Sequence, residues 1–397
     1  MPHDDALLGA LGEPLVSITH SHGGAAHTHH VPAGSQAHAQ PRLHLTGHLL
    51  PDAEPVELWV VEGRITYERV PGATTLATDA WLMPGLVDAH CHIGLDGHGA
   101  VDPATAERQA LTDRNAGTLL VRDAGSPADT HWIDERADLP RIIRAGRHIA
   151  RPRRYIRNFA AEVEPEDLIA EVRTQARRGD GWVKLVGDWI DREAGDLRPL
   201  WPTEVVRDAI AAAHEEDARV TAHTFDEQAV AELVAAGIDG IEHGTGLDDA
   251  TIELMAERGV ALVPTLINIE TFPDIAAAAD GKFPAYAAHM RALHARRFKT
   301  LGKAVDAGVP IYAGTDAGGT LAHGILPEEI ALLARVGGAE FALGAASWRA
   351  REWLGADQLT EGASADLIVC AGDPRSDLGE LRRPVAILLR GRVITAV

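Results

Sequence analysis

Two cysteines, Cys91 and Cys370, are all that the 397 residues contain. Two thiols cannot build a disulfide framework, and a reducing, cytoplasmic setting is the expectation. Cations are also scarce: 37 Lys and Arg stand against 58 Asp and Glu, a formal net charge of -21. Nucleic acid selects for basic surfaces, so no nucleic-acid partner is expected. The same excess favours solubility and disfavours strongly anionic substrates. No apolar run approaches the roughly 20 residues that cross a bilayer, so no membrane partner is expected. The start, Met1-Pro2-His3-Asp4-Asp5, is acidic where a secretory leader would be basic. A glycine fingerprint after the first strand of the central region is missing as well, which argues against an open dinucleotide-binding sheet.

What is present is enough for a large core: 46% of the residues are apolar. The length suits a barrel of about 250 residues plus a smaller domain. Residues 1–40 are rich in Gly, Ala, Ser and His, with His3, His20, His22, His27, His29, His30 and His38 among them. They do not read as a packed element. A loosely docked extension is the plain reading of this head, and a metal-buffering tail the sharper one. From residue 41 strands begin. Glu57–Val61, Glu62-Gly63 and Arg64–Tyr67 form a hairpin pattern, and Ala386–Leu389, Arg390-Gly391 and Arg392–Thr395 repeat it near the other end. A small β-sandwich built from both chain ends, residues 41–83 and 356–397, is therefore expected around an inserted domain of residues 84–355.

That inserted region alternates short apolar strands with helical stretches. Candidate strands are Leu86–Ile93, Thr118–Asp123, Arg141–Ala145, Trp182–Val186, Arg219–His223, Gly240–His243, Ala261–Leu266 and Ile311–Thr315. Helices are expected over Gln228–Ala236, Thr251–Arg258 and Pro284–Ala307. Eight βα units predict an α/β fold, a (β/α)8 TIM barrel.

Polar residues gather at the ends of these strands. His90 and His92 share one face of the first strand, because side chains alternate, and Cys91 faces the other way as a small apolar filler. Lys184, His223, His243 and Asp316 end the fourth, fifth, sixth and eighth. Active sites of barrel enzymes lie at that rim. Singly, each histidine could be a satisfied structural group and Asp316 a helix cap. Lys184 fits least well as mere structure, since an unpaired buried ammonium costs several kcal/mol. Together they describe a metal site, and imidazole with carboxylate suits a borderline divalent ion such as Zn²⁺.

Met83-Pro84-Gly85-Leu86-Val87-Asp88-Ala89-His90-Cys91-His92 resembles the first-strand motif of the amidohydrolase superfamily. Val220–His223, Gly240–Gly244 and Ala313–Gly318 resemble its fifth, sixth and eighth strands, and Gly362–Val369 its return into a small sandwich domain. The resemblance covers about residues 42–397. It implies two divalent metal ions, with His90, His92 and Asp316 on one, His223 and His243 on the other, and a CO₂-derived carbamate on Lys184 bridging them. Lys184 places the chain with the binuclear prolidase-like and imidazolonepropionase-like branch. The implied chemistry is attack by a metal-bridging hydroxide on an amide of a dipeptide, N-acyl amino acid or cyclic amide. Asp316 then acts as the catalytic proton carrier. Carbamate, lactone or phosphoester hydrolysis is the second reading, and a non-catalytic homologue or a metal-storage protein are the others. Arg122, Arg154, Tyr155 and His323 are the candidate contacts to a small-molecule substrate, although the family's Gly-Gly-His element after strand three is missing. The resemblance also implies a homo-oligomer.

Overall fold

The computed structural model describes residues 15–22, 25–32 and 41–394. Within the head, Leu15–His22 and Ala25–Pro32 pair as antiparallel strands, with His20 opposite His27. The loosely docked extension expected for residues 1–40 included no strands, and this backbone pairing is what the structure describes of them. The β-branched Val16, Ile18, Thr19, Thr28 and Val31 favour extended backbone on both sides of the glycine pair. The metal-buffering reading concerns side chains outside the described residues.

Both hairpin patterns form, and they abut. Val61 pairs with Arg64, and Leu389 with Arg392. Each two-residue turn has positive φ at both positions: Glu62 at 51° and Gly63 at 79°, Arg390 at 49° and Gly391 at 72°. That backbone twist matches the flanking strands. A Cβ on Gly391 would come within 2.6 Å of the Gly63 Cα, so glycine there lets the two chain ends meet. They join one seven-stranded sheet in the order Arg392–Ile394, Ala386–Leu389, Leu367–Cys370, Thr74–Pro84, Leu43–Leu49, Glu54–Val61, Arg64–Thr66. Leu45, Leu58, Ile65, Leu82, Leu367 and Leu388 are buried on it.

From this sheet the chain crosses Gly85 directly into Leu86–Cys91. That strand belongs to a three-stranded parallel sheet with Thr118–Asp123 and Arg141–Arg144. A second sheet holds Ala161–Glu162, Ile149–Ala150, Trp182–Val186, Arg219–Thr224, Gly240–His243 and Ala261–Val263, all parallel. Helices alternate with the strands, several started by aspartate caps (Asp102, Asp226 and Asp248) that accept from backbone N–H groups. The fold is α/β.

Two expected strands differ. The seventh ends at Val263, because Pro264 has no N–H to donate and Thr265 turns left-handed (φ 43°) into the short helix Leu266–Ile269. The eighth, around residues 311–317, is no continuous strand. Single parallel bridges tie Ile311 to Leu262 and Ala317 to Cys91. Between them both Thr315 and Asp316 donate to the His90 carbonyl oxygen, at 3.1 and 2.7 Å, which interrupts a regular ladder.

A hairpin, Asp188–Asp191 with Asp196–Pro199, follows the strand that carries Lys184. It is clamped to the long helix Pro284–Asp306 by His289, which bonds Asp196 at 2.9 Å and Glu227 at 3.0 Å. Its bond to Glu227, against the opposing pull of burial and with help from Asp196, raises the imidazole to about 9. An unfolded histidine titrates near ~6.5, so the clamp stabilises fully below that pH and fades as pH rises through about 9. We therefore expect His289→Gln to lower Tm clearly at pH 6 and very little at pH 10. An equal drop at both would remove the charge from the account. Among the described residues no helix is long and apolar enough to cross a membrane.

Candidate metal centre

The strand ends converge. His90 Nε2 and His92 Nε2 lie 3.2 Å apart, and Asp316 Oδ1 is 3.0 Å from each. Beside them His223 Nδ1 faces His243 Nε2 at 3.0 Å, and the His90 and His243 rings are 5.2 Å apart. All four histidines and Lys184 are buried. Among the described residues Lys184 has no ion pair, and burial, opposed by Glu242 and Asp316, pulls its ammonium down to about 8.

The outer nitrogens explain how the inner ones are aimed. His90 Nδ1 donates to Glu242 at 2.7 Å, His92 Nδ1 to the Gly125 carbonyl at 2.7 Å, and His243 Nδ1 sits 2.7 Å from Thr265 Oγ1. Each pinned tautomer leaves an Nε2 lone pair facing its neighbours, the arrangement found around metal-ligating histidines. Lone pairs 3.2 Å apart repel unless a proton or a cation lies between them. His223 Nε2 is buried without a partner among the described residues. The donor set therefore fits divalent metal: two imidazoles and a carboxylate oxygen at one end, two imidazoles at the other.

Electrostatics agree. Burial alone would raise the Asp316 carboxyl, and positive charge on His90 with donation from His90 and His92, the place a cation would take, holds it well below the usual range. Burial would likewise raise Glu242, and Arg122 and then His90 hold it low. Burial lowers His92, brings His223 to about 3 and sends His243 well below its ordinary value, so these imidazoles stay neutral. His243 (φ 69°), Thr265 (φ 43°) and Asp316 (φ 60°) are all left-handed non-glycine residues. Such strain, of order 1–3 kcal/mol each, gathers where function demands it. Close approach of the eighth segment depends on glycine: a Cβ on Gly318 would lie 2.7 Å from both the His92 Cβ and carbonyl oxygen.

The expected substrate contacts are placed differently. Arg122 is fully buried, bonded to Glu242 and the Ala89 carbonyl, and its guanidinium stacks 4.7 Å from the Trp182 ring. Its partners are framework, so it supports His90 through Glu242. Arg122→Leu would leave Glu242 buried without its cation, held only by His90 and Thr221, and we expect a loss of about 3–5 kcal/mol in stability, read from urea unfolding. A near-neutral result would show that the pair is dispensable. Arg154 is engaged by Asp191 at 2.9 Å and ties its loop to the hairpin. His323 bonds Asp113 at 2.8 Å on the far side of the strand, beside Cys91. Tyr155 does face the cluster, its ring 5.5 Å from His223 and 4.8 Å from Trp189. Sequence reasoning missed His148, whose ring is 5.0 Å from His92, and Asn268, which donates to Asp316 Oδ2 at 2.8 Å. Neither ends an obvious strand. It also assigned no role to Glu242, although alternation places that residue on the face opposite its neighbour His243.

Residues 81–397 match the model of the amidohydrolase family. The chain belongs to that family. An uncharacterized protein of Mycobacterium tuberculosis is 58% identical over 353 residues, covering 88% of this chain and 95% of that one. Ochratoxinase of Aspergillus niger is 28% identical over 231 residues, 56% of this chain and 47% of its own length. Among solved structures, a Xaa-Pro dipeptidase with bound methionine in its active site superposes with a TM-score of 0.76. It is 22% identical, covering 89% of this chain and 99% of that one. That likeness is one of fold.

Proposed function

We propose that this amidohydrolase-family hydrolase cleaves an amide bond of a small N-acyl amino acid or dipeptide with the help of two divalent metals, zinc foremost. The observation that carries the reading is the set of Nε2 lone pairs pinned inward by outward hydrogen bonds, those of His90 and His92 toward Asp316 and that of His243 toward His223. His90, His92 and Asp316 would hold one ion and His223 and His243 the other, with Lys184, carboxylated by CO₂, between them. A lysine at about 8 keeps a useful fraction of neutral amine near neutral pH, the form that reacts with CO₂. When bound, the metals supply Lewis acidity and make water acidic near neutral pH. Asp316 takes the proton of the attacking water and delivers it to the departing amine nitrogen. Asn268 holds the second carboxylate oxygen in place while this happens. Glu242, through His90, keeps the first strand's donors oriented.

The same reading closes the fold. The bridges at Leu262–Ile311 and Cys91–Ala317 support a (β/α)8 barrel over residues 84–355. The seven-stranded sheet draws its strands from both segments, which supports a small domain built from residues 41–83 and 356–397. The dipeptidase and prolidase names among the solved structures favour amides, although a molinate hydrolase and a phenylurea hydrolase stand beside them. The test is elemental analysis of protein produced with divalent metal and bicarbonate, followed by a screen of N-acyl amino acids and dipeptides. Close to two metals per chain with turnover of an amide is expected. Metal-free protein that stays inert after metal is restored would overturn the reading.

A further inference from the structure

His148 is fully buried, and neither of its ring nitrogens has a hydrogen-bond partner among the described residues. A buried polar group left unsatisfied costs about 1–3 kcal/mol, so such a group calls for a partner that arrives from outside. It stands just before the strand Ile149–Ala150, and its ring lies between His92, at 5.0 Å, and Tyr155, at 5.5 Å. Gly125 (φ 113°) packs on its Nδ1 side, where a Cβ would come within 3.1 Å. The Gly125 carbonyl is already taken by His92.

Two roles compete for this imidazole. Its spacing from His92 matches that of the ligand pairs, 5.1 Å for His90–His92 and 4.8 Å for His223–His243. It lacks, however, what His90, His92 and His243 share, an outer nitrogen pinned by an acceptor. The arginines that would anchor a substrate carboxylate are engaged elsewhere, Arg122 by Glu242 and Arg154 by Asp191. That leaves His148 as a donor beside the cluster with both ring nitrogens unengaged among the described residues, and the rings of Tyr155 and Trp189 are close by.

We propose that His148 contacts the substrate, donating a ring N–H to the free carboxylate of an N-acyl amino acid or dipeptide. This rests on the hydrolase reading above. The test compares an N-acyl amino acid with its carboxamide on metal-loaded wild type, His148→Leu and His148→Gln. His148→Leu should raise KM for the free acid about tenfold with kcat nearly unchanged and metal content equal to wild type. His148→Gln, which keeps a donor, should restore most of the loss, and the carboxamide should not distinguish the three proteins. Loss of metal in both variants, an unchanged KM, or an equal rise for acid and carboxamide would each overturn the assignment. Should the wild type hydrolyse neither compound, the hydrolase reading fails, and calorimetric binding of benzoate to the metal-loaded proteins decides His148 by itself. Binding about tenfold weaker in His148→Leu supports the contact, and equal binding overturns it.

Discussion

Asp316→Asn lowers kcat by about a thousandfold or more while the protein stays folded. The substitution suits this position because asparagine tolerates the left-handed backbone that Asp316 adopts, φ 60°. Its volume is the same, and its amide oxygen can still accept from Asn268. The orientation that satisfies Asn268 turns the amide NH₂ toward His90 and His92, whose Nε2 atoms now lie 3.0 Å from Oδ1. A donor then occupies the place of an anionic ligand, and the proton acceptor of the reaction is gone. Loss of general-base function alone is worth about 10²–10⁴ in rate. Steady-state kinetics, with Tm as the control for folding, read the outcome. Full activity in a folded Asp316→Asn protein would exclude Asp316 from the chemistry.

Lys184→Met takes the bound metal from two ions per chain to one and costs at least a hundredfold in kcat/KM. The side chain is buried, has no ion pair among the described residues, and lies close enough to Glu242 and Asp316 to feel both charges. An ammonium in such surroundings is a burden on the fold, because desolvation of an unpaired charge costs several kcal/mol. Methionine keeps the length and flexibility of the side chain without the charge. The metal-free variant should therefore unfold at a temperature no lower than metal-free wild type, even as the metal-loaded enzyme fails. Two metals retained in Lys184→Met would remove lysine from the bridge, and a large fall in metal-free Tm would show that Lys184 is structural. These two results together separate a residue kept for its chemistry from one kept for packing.

Much of this site was legible along the chain because its placement follows from strand geometry. Two histidines spaced by one residue must share a face of an extended strand, which brings His90 and His92 side by side. Strand ends marked by glycine or a polar turn placed Lys184, His223, His243 and Asp316 at one rim. The two Gly-containing turns announced hairpins because only a left-handed backbone closes them with the right twist. These signals are local, a few residues long, and survive without knowledge of what lies opposite.

The partners of the charged side chains were not legible. Arg122 and Glu242 are 120 residues apart, and Arg154 and Asp191 are 37 apart. Nothing near either arginine in the sequence separates a framework ion pair from a substrate anchor. His148 lies beyond the expected strand Arg141–Ala145 and drew no assignment, and packing against Gly125, His92 and Tyr155 buries it. The eighth segment reads as a strand, but its backbone turns toward the His90 carbonyl because Asp316 must reach the histidines. The sequence by itself thus determined which residue types stand at which strand ends, since that follows from a two-residue period. Only the tertiary structure decided which polar groups are satisfied and which are left free, because that depends on neighbours brought together by folding.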